Sequence, residues 1–413
     1  MKMERSVKSI IIVGDGMADY PIKEHQDKTP LMMADKPYMD WLARHGEIGL
    51  VQTIPEGFNP GSEIANLSIF GYDPLKYYTG RGPLEAASLG VALGPSDLAF
   101  RCNLVTLQFQ NSKVIMEDFS AGHISNEEAE RLIEELNRVL GSERVQFFAG
   151  VSYRHLMVLR EGASTFRGLE EVSFTPPHDI IGQEISPYLP KGNHSVREIL
   201  ELMEDSQKVL RDHPINLHRQ AMGLRPANAI WLWGQGRSPQ MVTLRERFGI
   251  EGAVISAVHL IRGIGRLAGL EVLEVPHITG FLDTNYEGKA TYALEALRKK
   301  DFVYIHVEAP DEAGHMGELD LKIKAIEDFD ERVVGRVLKG LQYFEHYRIM
   351  VLPDHPTPLS LRTHTADPVP FVIYRSEGKK EENPTGSFDE VSARRSGLFL
   401  EKGHELIERF LLL

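Results

Sequence analysis

Acidic and histidine side chains follow three short apolar runs of this sequence, "SIIIVG", "FVYIHVEAP" and "RIMVLP". Carboxylate and imidazole groups without thiolates suit borderline divalent ions such as Mn²⁺ or Zn²⁺. If the three runs end at one place in the fold, their side chains can bind two metal ions. The residues are Asp15 after the first run, Asp311 and His315 after the second, and Asp354, His355 and, further on, His364 after the third.

Each of these residues alone also has an ordinary structural explanation. Asp15 in "GDG" could be a turn residue, and Asp311 with His315 could form a surface pair on a helix. Asp354 and His355 could lie in a turn, and His364 could be any loop histidine. Their joint occurrence after similar runs favours the metal site.

Ser62 lies in "EGFNPGSEIANLSIFGYDP", where a turn precedes an apolar run that predicts a helix. A serine hydroxyl becomes a useful nucleophile when a metal activates it, and a helix N-terminus favours a bound phosphate. The alternative is that Ser62 only caps the helix. A capping box would require Glu or Gln at position 65, which is Ala65. Together with the metal ligands, the stretch predicts a nucleophile for phosphoryl transfer.

Other phosphate-binding motifs are absent. "YEGKA" lacks the Ser or Thr of a P-loop because Ala290 stands there, and "GDGMAD" has Asp19 where a dinucleotide fingerprint needs a glycine. No G-x-S-x-G elbow surrounds Ser62. The sequence therefore favours metals and a serine over a P-loop or a Ser-His-Asp triad.

The elements that must position these residues are predicted strands and helices in alternation. Such alternation indicates a mostly parallel sheet flanked by helices, and ligands of open parallel sheets gather at the carboxyl ends of the strands. The clearest helical pattern spans 319–341, with apolar residues three and four apart. Strands are predicted from buried, β-branched runs at 9–13, 229–233, 302–307, 348–352 and 370–374.

The middle of the chain has a different pattern. "RCNLVTLQFQ", "RVQFFAGVSY" and "RHLMVLREG" read as strands, "SNEEAERLIEELNRVL" as a helix between the first two, and 195–210 as another helix. This pattern predicts an inserted α+β domain with an antiparallel sheet. The expected organisation is a catalytic domain of residues 1–90 plus 225–413 and an inserted domain of residues 90–225.

Composition limits the possible partners of the 413-residue chain. Its net charge of −13 argues against nucleic acid but allows a small anionic substrate in a local cationic pocket. The single cysteine, Cys102, excludes disulfides within the chain and thiolate metal sites. No apolar run reaches the length of about 20 residues that spans a bilayer. A cytoplasmic enzyme without a membrane partner is expected, and its oligomeric state is open.

With these motifs in place, the sequence resembles the alkaline phosphatase superfamily and, within it, the cofactor-independent phosphoglycerate mutases of archaeal type. The resemblance covers nearly the whole chain and rests on "IIVGDGMAD", "NPGSEIANLSIFGYDP", "YYTGRGPLEAA", "FSAGHIS", "GVSYRHLMVL", "HPINLHRQAMGLRPANAIWLWG", "TNYEGKA", "VEAPDEAGH" and "VLPDHPTP". It implies an alkaline phosphatase-like α/β fold with an inserted domain. It also implies interconversion of 3-phosphoglycerate and 2-phosphoglycerate through a phosphoserine.

The resemblance also implies roles for individual residues. Ser62 would be the nucleophile, and two divalent ions, Mn²⁺ or Zn²⁺ with Mg²⁺ or Co²⁺ as further candidates, would flank it. One ion would bind Asp15, Ser62, Asp354 and His355, and the other Asp311, His315 and His364. The cationic groups expected to bind a small phosphorylated carboxylate substrate are His123, Arg154, Arg219, Arg225 and Arg81.

Three alternatives remain at this point. "WLWGQG" resembles a bacterial branch of the family whose members are proposed homoserine kinases, which would use ATP as donor. A metal-dependent phosphatase or phosphodiesterase would let water attack the phosphoryl group. A non-catalytic binding protein on this fold would leave a full set of metal ligands without use.

Overall fold

The computed structural model describes residues 7–111, 113–377 and 386–413. These residues form two compact units. The first comprises the chain up to Tyr78 together with Gln240–Leu413, and the second is Thr79–Pro239. The inserted segment therefore begins before and ends after the expected limits of 90 and 225.

The described residues form strands throughout the chain. They are β1 (Lys8–Gly14), β2 (Glu47–Val51), β3 (Leu98–Gln110), β4 (Lys113–Asp118), β5 (Val145–Val151), β6 (Arg154–Leu159), β7 (Ala229–Gly236), β8 (Gly252–Ile255), β9 (Glu271–Val272), β10 (Phe302–Val307), β11 (Tyr347–Leu352), β12 (Val369–Arg375) and β13 (Phe399–Leu400).

Helices connect most of these strands. They are α1 (Pro30–Met33), α2 (Pro37–His45), α3 (Ser62–Ile69), α4 (Pro74–Tyr77), α5 (Arg81–Leu89), α6 (Asn126–Leu140), α7 (Gly162–Thr165), α8 (His194–Leu210), α9 (Pro214–Ala221), α10 (Leu244–Phe248), α11 (His259–Leu267), α12 (Tyr286–Leu297), α13 (Ala309–Met316), α14 (Leu319–Phe329), α15 (Gly335–Leu341), α16 (Glu390–Arg395) and α17 (Leu406–Leu412). Short 3₁₀ turns lie at Lys23–His25, Leu169–Glu171, Pro177–Ile180, Ser186–Tyr188 and Gly403–Glu405.

The first unit contains a mostly parallel sheet in the order β13-β2-β12-β11-β1-β10-β8-β9. Strand β12 runs antiparallel to both of its neighbours, and the other pairs are parallel. The central strands β1 and β10 are β-branched runs that are buried along most or all of their length, as expected for a sheet covered on both faces. The predicted α/β fold class with its mostly parallel sheet is confirmed.

The strand register aligns the ends of three neighbouring strands. Val13 of β1 pairs with His306 of β10 on one side and with Leu352 of β11 on the other. The backbone N–H of Asp15 continues the ladder by donating to the carbonyl of Val307 at 2.9 Å. The segments that follow these strands therefore start at one level of the sheet.

The second unit contains an antiparallel sheet in the order β4-β3-β6-β5, with β7 paired to β3. Helices α6 and α8 pack beside it, and Ser125 and Glu128 form a capping box at the start of α6. The expectation that 229–233 belongs to the parallel catalytic sheet is wrong, because β7 pairs antiparallel with β3. A buried apolar strand has the same pattern in either kind of sheet, so periodicity could not separate them.

The predicted helix at 319–341 is confirmed, with one irregularity. Helices α14 and α15 are joined by a π-helical turn, Asp330–Val334. The Asp330 carboxylate accepts hydrogen bonds from the backbone N–H groups of Tyr38 at 3.1 Å and Met39 at 2.7 Å. It thus satisfies the first turn of α2, whose N-cap residue Lys36 makes no side-chain cap. Burial raises the pKa of Asp330 to about 7.

Among residues 7–111, 113–377 and 386–413, no helix is both long and apolar enough to cross a bilayer.

The raised pKa of Asp330 predicts that this residue makes a pH-dependent contribution to stability. Its pKa rises from an ordinary 3.8 to about 7 on folding, so between these values the folded state holds a proton that the unfolded state has released. The stabilisation is complete below pH 4 and is lost as the pH rises through 7. In urea titrations, the free-energy advantage of the wild type over Asp330→Asn should shrink by about 2–3 kcal/mol between pH 5 and pH 8. The exposed Asp320→Asn variant should show no such trend, and a pH-independent difference for Asp330→Asn would contradict the assignment.

Candidate metal centre

The first predicted metal group lies at the ends of β1 and β11. Nε2 of His355 is 3.4 Å from Oδ1 of Asp15 and 3.6 Å from Oδ2 of Asp354. All three side chains are buried, and their ligand atoms lie within 4.8 Å of one another. The aligned strand ends therefore bring these three residues together as a compact donor set.

Ser62 joins this group through its hydroxyl. It is the first residue of α3, and the N-cap position belongs to Gly61, which makes no side-chain cap. The alternative in which Ser62 is a plain N-cap is therefore wrong. Its Oγ lies 3.1 Å from Nε2 of His355, so the hydroxyl faces the donor set at the N-terminus of the helix.

The second predicted group follows β10 and includes His364 from a loop. Nε2 of His315 is 3.2 Å from Oδ2 of Asp311, and Nε2 of His364 is 3.5 Å from Oδ1 of the same carboxylate. The rings of His364 and His355 have their centroids 4.2 Å apart. The two groups are therefore neighbours, and they contain every residue that the sequence analysis expects at the metals.

The donor chemistry of both groups fits divalent cations. Oδ1 of Asp15 is buried and has no hydrogen-bond partner among the described residues. Nε2 of His315 and Nε2 of His364 face each other at 2.9 Å, a contact in which only one nitrogen can carry a proton. Carboxylate oxygens and imidazole nitrogens arranged in this way are the ligands that Mn²⁺ and Zn²⁺ take.

Electrostatics point to the same fit. Burial and the neighbouring charge of Asp354 raise the pKa of Asp15 well above its usual range. Burial acts in the same direction on Asp354, but attraction to His355 and contact with His306 hold the pKa of Asp354 below its usual range. A hydrogen bond with Asp311 raises the pKa of His315 to about 9. The buried carboxylates repel each other, and a bound cation would relieve that repulsion.

Gly16 allows the close approach of these loops. Its φ is +62°, and a Cβ there would lie 2.6 Å from both Oδ1 of Asp311 and Oγ1 of Thr357. Its backbone N–H donates to Oδ1 of Asp354 at 3.2 Å. The "GDG" turn therefore needs a glycine after Asp15 for both conformation and space.

Sequence reasoning missed several residues that support the centre. His306 is fully buried, and its Nε2 lies 3.2 Å from Oδ2 of Asp15. Oγ1 of Thr357 donates to Oδ1 of Asp311 and lies 3.3 Å from Nδ1 of His355. Both residues stand inside motifs that carry the predicted ligands, but their spacing gives no separate signal.

Lys322 of α14 connects two of the loops that carry predicted metal ligands. Its fully buried ammonium donates to Oδ2 of Asp19 at 2.7 Å, to the carbonyl of Thr357 at 2.8 Å and to that of Ala18 at 3.3 Å. Asp19 and Ala18 follow Asp15, and Thr357 follows His355. One buried ion pair therefore holds the segments that carry both halves of the first metal group.

The second unit contains a separate cluster of cationic and aromatic side chains. The guanidinium carbons of Arg101 and Arg81 lie 5.0 Å and 5.5 Å from the ring centroid of Trp233, and the His178 ring lies 5.4 Å away, edge-on. The indole N–H donates to Asn103 at 3.0 Å. Sequence reasoning selected Arg81 but missed Arg101, His178 and Trp233.

Arg101 is the buried cation of this cluster. Nη1 of Arg101 lies 3.4 Å from Oε1 of Glu85, and Nε of Arg101 has no hydrogen-bond partner among the described residues. Burial lowers the pKa of Arg101, and the charges of Arg81 and Arg154 act in the same direction. Three guanidinium groups therefore concentrate positive charge at one place in an otherwise acidic chain.

The Tyr153 ring contacts two more residues predicted to bind the substrate, Arg154 and His123. The Arg154 guanidinium lies 5.4 Å from the centroid of the Tyr153 ring, and the exposed His123 ring meets the same ring edge-on at 5.9 Å. His123 and the two residues before it, Ala121 and Gly122, all have φ between 49° and 64°. Such left-handed backbone is strained for residues other than glycine and is common at functional sites.

The two remaining predicted arginines make internal contacts. Arg219 is only 4 % exposed and donates to Glu128 at 2.8 Å and to the carbonyl of Ala121 at 2.7 Å. Arg225 donates to Oδ2 of Asp118 at 2.7 Å. These contacts hold the strained loop before His123, so the geometry does not support direct substrate binding by Arg219.

Comparison with known proteins gives a consistent result. Residues 43–216 match the family model described as 2,3-bisphosphoglycerate-independent phosphoglycerate mutase. A probable mutase of this kind from Geobacter sulfurreducens is 54 % identical, over 98 % of this chain and 100 % of the relative. A solved protein from Pyrococcus horikoshii superposes with a TM-score of 0.81 at 31 % identity, covering 98 % of this chain and 97 % of that one. The cofactor-independent phosphoglycerate mutase from Thermoplasma acidophilum superposes with a TM-score of 0.67 at 27 % identity, covering 98 % of each chain.

The mostly parallel α/β sheet, with acidic and imidazole groups at its strand ends, is of the kind that serves metal-assisted phosphoryl transfer. The chain belongs to the family of 2,3-bisphosphoglycerate-independent phosphoglycerate mutases. It is an isomerase that interconverts 3-phosphoglycerate and 2-phosphoglycerate, and its substrate is a small phosphorylated molecule. The family resemblance expected from the sequence motifs is confirmed.

Lys322 should be essential for the stability of the first unit. Replacing it with Met leaves the buried Asp19 carboxylate without its partner, which should lower the free energy of unfolding by about 3–5 kcal/mol. Lys324→Met is the matched control, because that lysine lies on the same helix and is 59 % exposed. Its effect should stay within about 0.5 kcal/mol. Urea titrations measure both, and equal effects would show that the buried pair does not hold the loops. The double variant Lys322→Met with Asp19→Asn should recover part of the loss.

Proposed function

We propose that Ser62 carries the phosphoryl group between the two hydroxyls of glycerate. The observation that carries this proposal is the position of its Oγ, 3.1 Å from His355 in a buried donor set and at the N-terminus of α3. The hydroxyl has no capping role that would occupy it. Backbone N–H groups of the first helical turn lack partners within the helix and suit phosphate oxygens.

Two divalent metal ions would be held by the two groups of ligands, with Mn²⁺ or Zn²⁺ favoured and Mg²⁺ or Co²⁺ as further candidates. When bound, such ions stabilise negative charge on a phosphoryl group and lower the pKa of a coordinated hydroxyl. Asp15, Ser62, Asp354 and His355 would hold one ion, and Asp311, His315 and His364 the other. The crowding of buried carboxylates around Oδ1 of Asp15, which has no hydrogen-bond partner among the described residues, supports this assignment.

The reaction proceeds in two balanced transfers. Oγ of Ser62 attacks the phosphorus of 3-phosphoglycerate, the bond from phosphorus to the C3 oxygen breaks, and the proton lost by Ser62 ends on that oxygen. The C2 hydroxyl of glycerate then attacks phosphoserine, the bond from phosphorus to Oγ breaks, and the C2 proton returns to Ser62. Water must stay away from phosphoserine, because its attack would make the enzyme a phosphatase.

The substrate carboxylate and hydroxyls would bind the cationic cluster of the second unit. Arg81, Arg101 and Arg154 supply guanidinium groups, which suit bidentate contact with a carboxylate. His123 and His178 are exposed beside the same aromatic rings. Because the chain as a whole has a net charge of −13, this local accumulation of positive charge is a reason to expect an anionic ligand there.

A cytoplasmic location remains a prediction of the sequence.

Ser62→Ala should abolish mutase activity, while Asp15, Asp354 and His355 still hold the metal ion that Ser62 shares. The variant removes the atom that forms the covalent intermediate, so kcat should fall by about 10⁴-fold or more. The assay supplies 3-phosphoglycerate with Mn²⁺ and without bisphosphoglycerate, and couples the product to enolase. Ser68→Ala is the matched control on the same helix, since its buried hydroxyl has no hydrogen-bond partner among the described residues. Substantial activity in Ser62→Ala would make another residue the nucleophile.

Arg154→Met should weaken substrate binding. Losing one charge-assisted hydrogen bond costs about 1.5–3 kcal/mol, so KM for 3-phosphoglycerate should rise about 10- to 100-fold. Arg131→Met, an exposed arginine on α6 that pairs with Glu127, should leave KM unchanged. Steady-state kinetics over a range of substrate concentrations provide the measurement. An unchanged KM in Arg154→Met would remove this residue from the carboxylate site.

A further inference from the structure

A buried series of hydrogen bonds connects Ser62 to Asp354 and involves two residues with no role in the transfer steps described above. Asn66 is one helical turn after Ser62, and Tyr304 is in the middle of β10; both are completely buried. Nδ2 of Asn66 donates to the carbonyl of Ser62 and to Oδ2 of Asp354, each at 2.8 Å. The Tyr304 hydroxyl donates to Oδ1 of Asn66.

The two acceptors at Nδ2 determine which way the Asn66 carboxamide points, and the Tyr304 hydroxyl completes this arrangement by donating to Oδ1. Both groups that Asn66 meets through Nδ2 are acceptors, a backbone carbonyl and a carboxylate. If the carboxamide were flipped, Oδ1 would face those acceptors, and the donor Nδ2 would face the hydroxyl. Because Tyr304 can donate to Oδ1, one orientation satisfies all the partners at once.

Tyr304 itself has little freedom. Its ring stacks on Phe70 of the Ser62 segment, with centroids 4.0 Å apart and planes 21° apart. It lies on the strand between β1 and β8, so its hydroxyl position is determined by the sheet. The position of Asn66 is therefore tied to a buried interior strand of the first unit.

Asp354 is held from two sides. Its Oδ1 accepts from the backbone N–H groups of His355 at 2.9 Å and Gly16 at 3.2 Å, while Oδ2 accepts from Asn66. The backbone contacts and the Asn66 contact act on different oxygens. Losing the Asn66 contact would let the carboxylate rotate about its remaining bonds, and it would also release the Ser62 turn from Asp354.

We propose that Asn66 and Tyr304 are positioning residues that couple the nucleophile helix to the metal-binding carboxylate. Tyr304 anchors Oδ1 of Asn66, and Asn66 sets the distance between the Ser62 turn and Oδ2 of Asp354 before substrate arrives. The inference rests on the roles proposed above for Ser62 and Asp354. Supporting partners of this kind commonly change metal affinity or activity by about 10- to 100-fold when removed.

The test uses Tyr304→Phe, which removes only the hydroxyl, and Asn66→Leu, which removes both donors at similar volume. Mn²⁺ binding to the metal-free full-length protein is measured by calorimetry, and kcat and KM are measured in the enolase-coupled assay. Tyr304→Phe should weaken Mn²⁺ binding at one site about tenfold and lower kcat about 10- to 100-fold, with KM unchanged. Asn66→Leu should have at least the same effects.

Tyr286→Phe is the matched control. Tyr286 is also completely buried in the first unit, and its hydroxyl has no hydrogen-bond partner among the described residues. It should change neither Mn²⁺ binding nor kcat. If Tyr304→Phe behaves like Tyr286→Phe, or lowers only the melting temperature, the positioning role is overturned.

Asp354→Asn separates this inference from the assignment on which it rests. If Asp354→Asn binds Mn²⁺ like the wild type, Asp354 is not a ligand, and both the metal assignment and the positioning role fail. If Asp354→Asn weakens Mn²⁺ binding while Tyr304→Phe and Asn66→Leu do not, only the positioning role fails. Weakened binding in all three variants supports both.

Discussion

Mutual repulsion among buried carboxylates is the constraint on which the first unit depends. Asp15, Asp311 and Asp354 are gathered at the ends of adjacent parallel strands, and none is more than 5 % exposed. Removing such charges from water is costly unless they gain partners. Imidazoles, backbone N–H groups and one asparagine supply part of this compensation, and the atoms left over are suited to cations. The arrangement is therefore a centre that needs metals as well as one that can hold them.

The surrounding structure holds these groups close despite their repulsion. Lys322 binds two of the ligand-bearing loops from beneath, and Gly16 allows those loops to approach where a side chain would collide. The hydrogen bonds from Tyr304 through Asn66 connect the Ser62 turn to Asp354. These contacts hold the carboxylates in a geometry that their mutual repulsion opposes.

The second unit brings together positive side chains, whereas the first unit brings together negative ones. Its arginines gather around Trp233 and Tyr153, where aromatic faces stabilise cations without neutralising them. Arg219 and Arg225 are instead paired with acids, and they support a strained loop. Arg219 and Arg225 therefore have a structural role, whereas the arginines beside Trp233 and Tyr153 are the candidates for binding an anion.

The sequence alone determined the fold class, the family and the residues around Ser62, because strand-end motifs carry both the chemistry and the β-branched runs that place it. It could not assign 229–233 to the antiparallel sheet, since an apolar run buried in either sheet looks the same. It also could not separate Arg219 from Arg154, or select Asn66, Tyr304, His306 and Arg101. Those roles depend on contacts between residues far apart in the chain, such as Asn66 with Asp354 and Tyr304. Only the tertiary structure decides such contacts, because they follow from strand register and helix placement, which local composition does not encode.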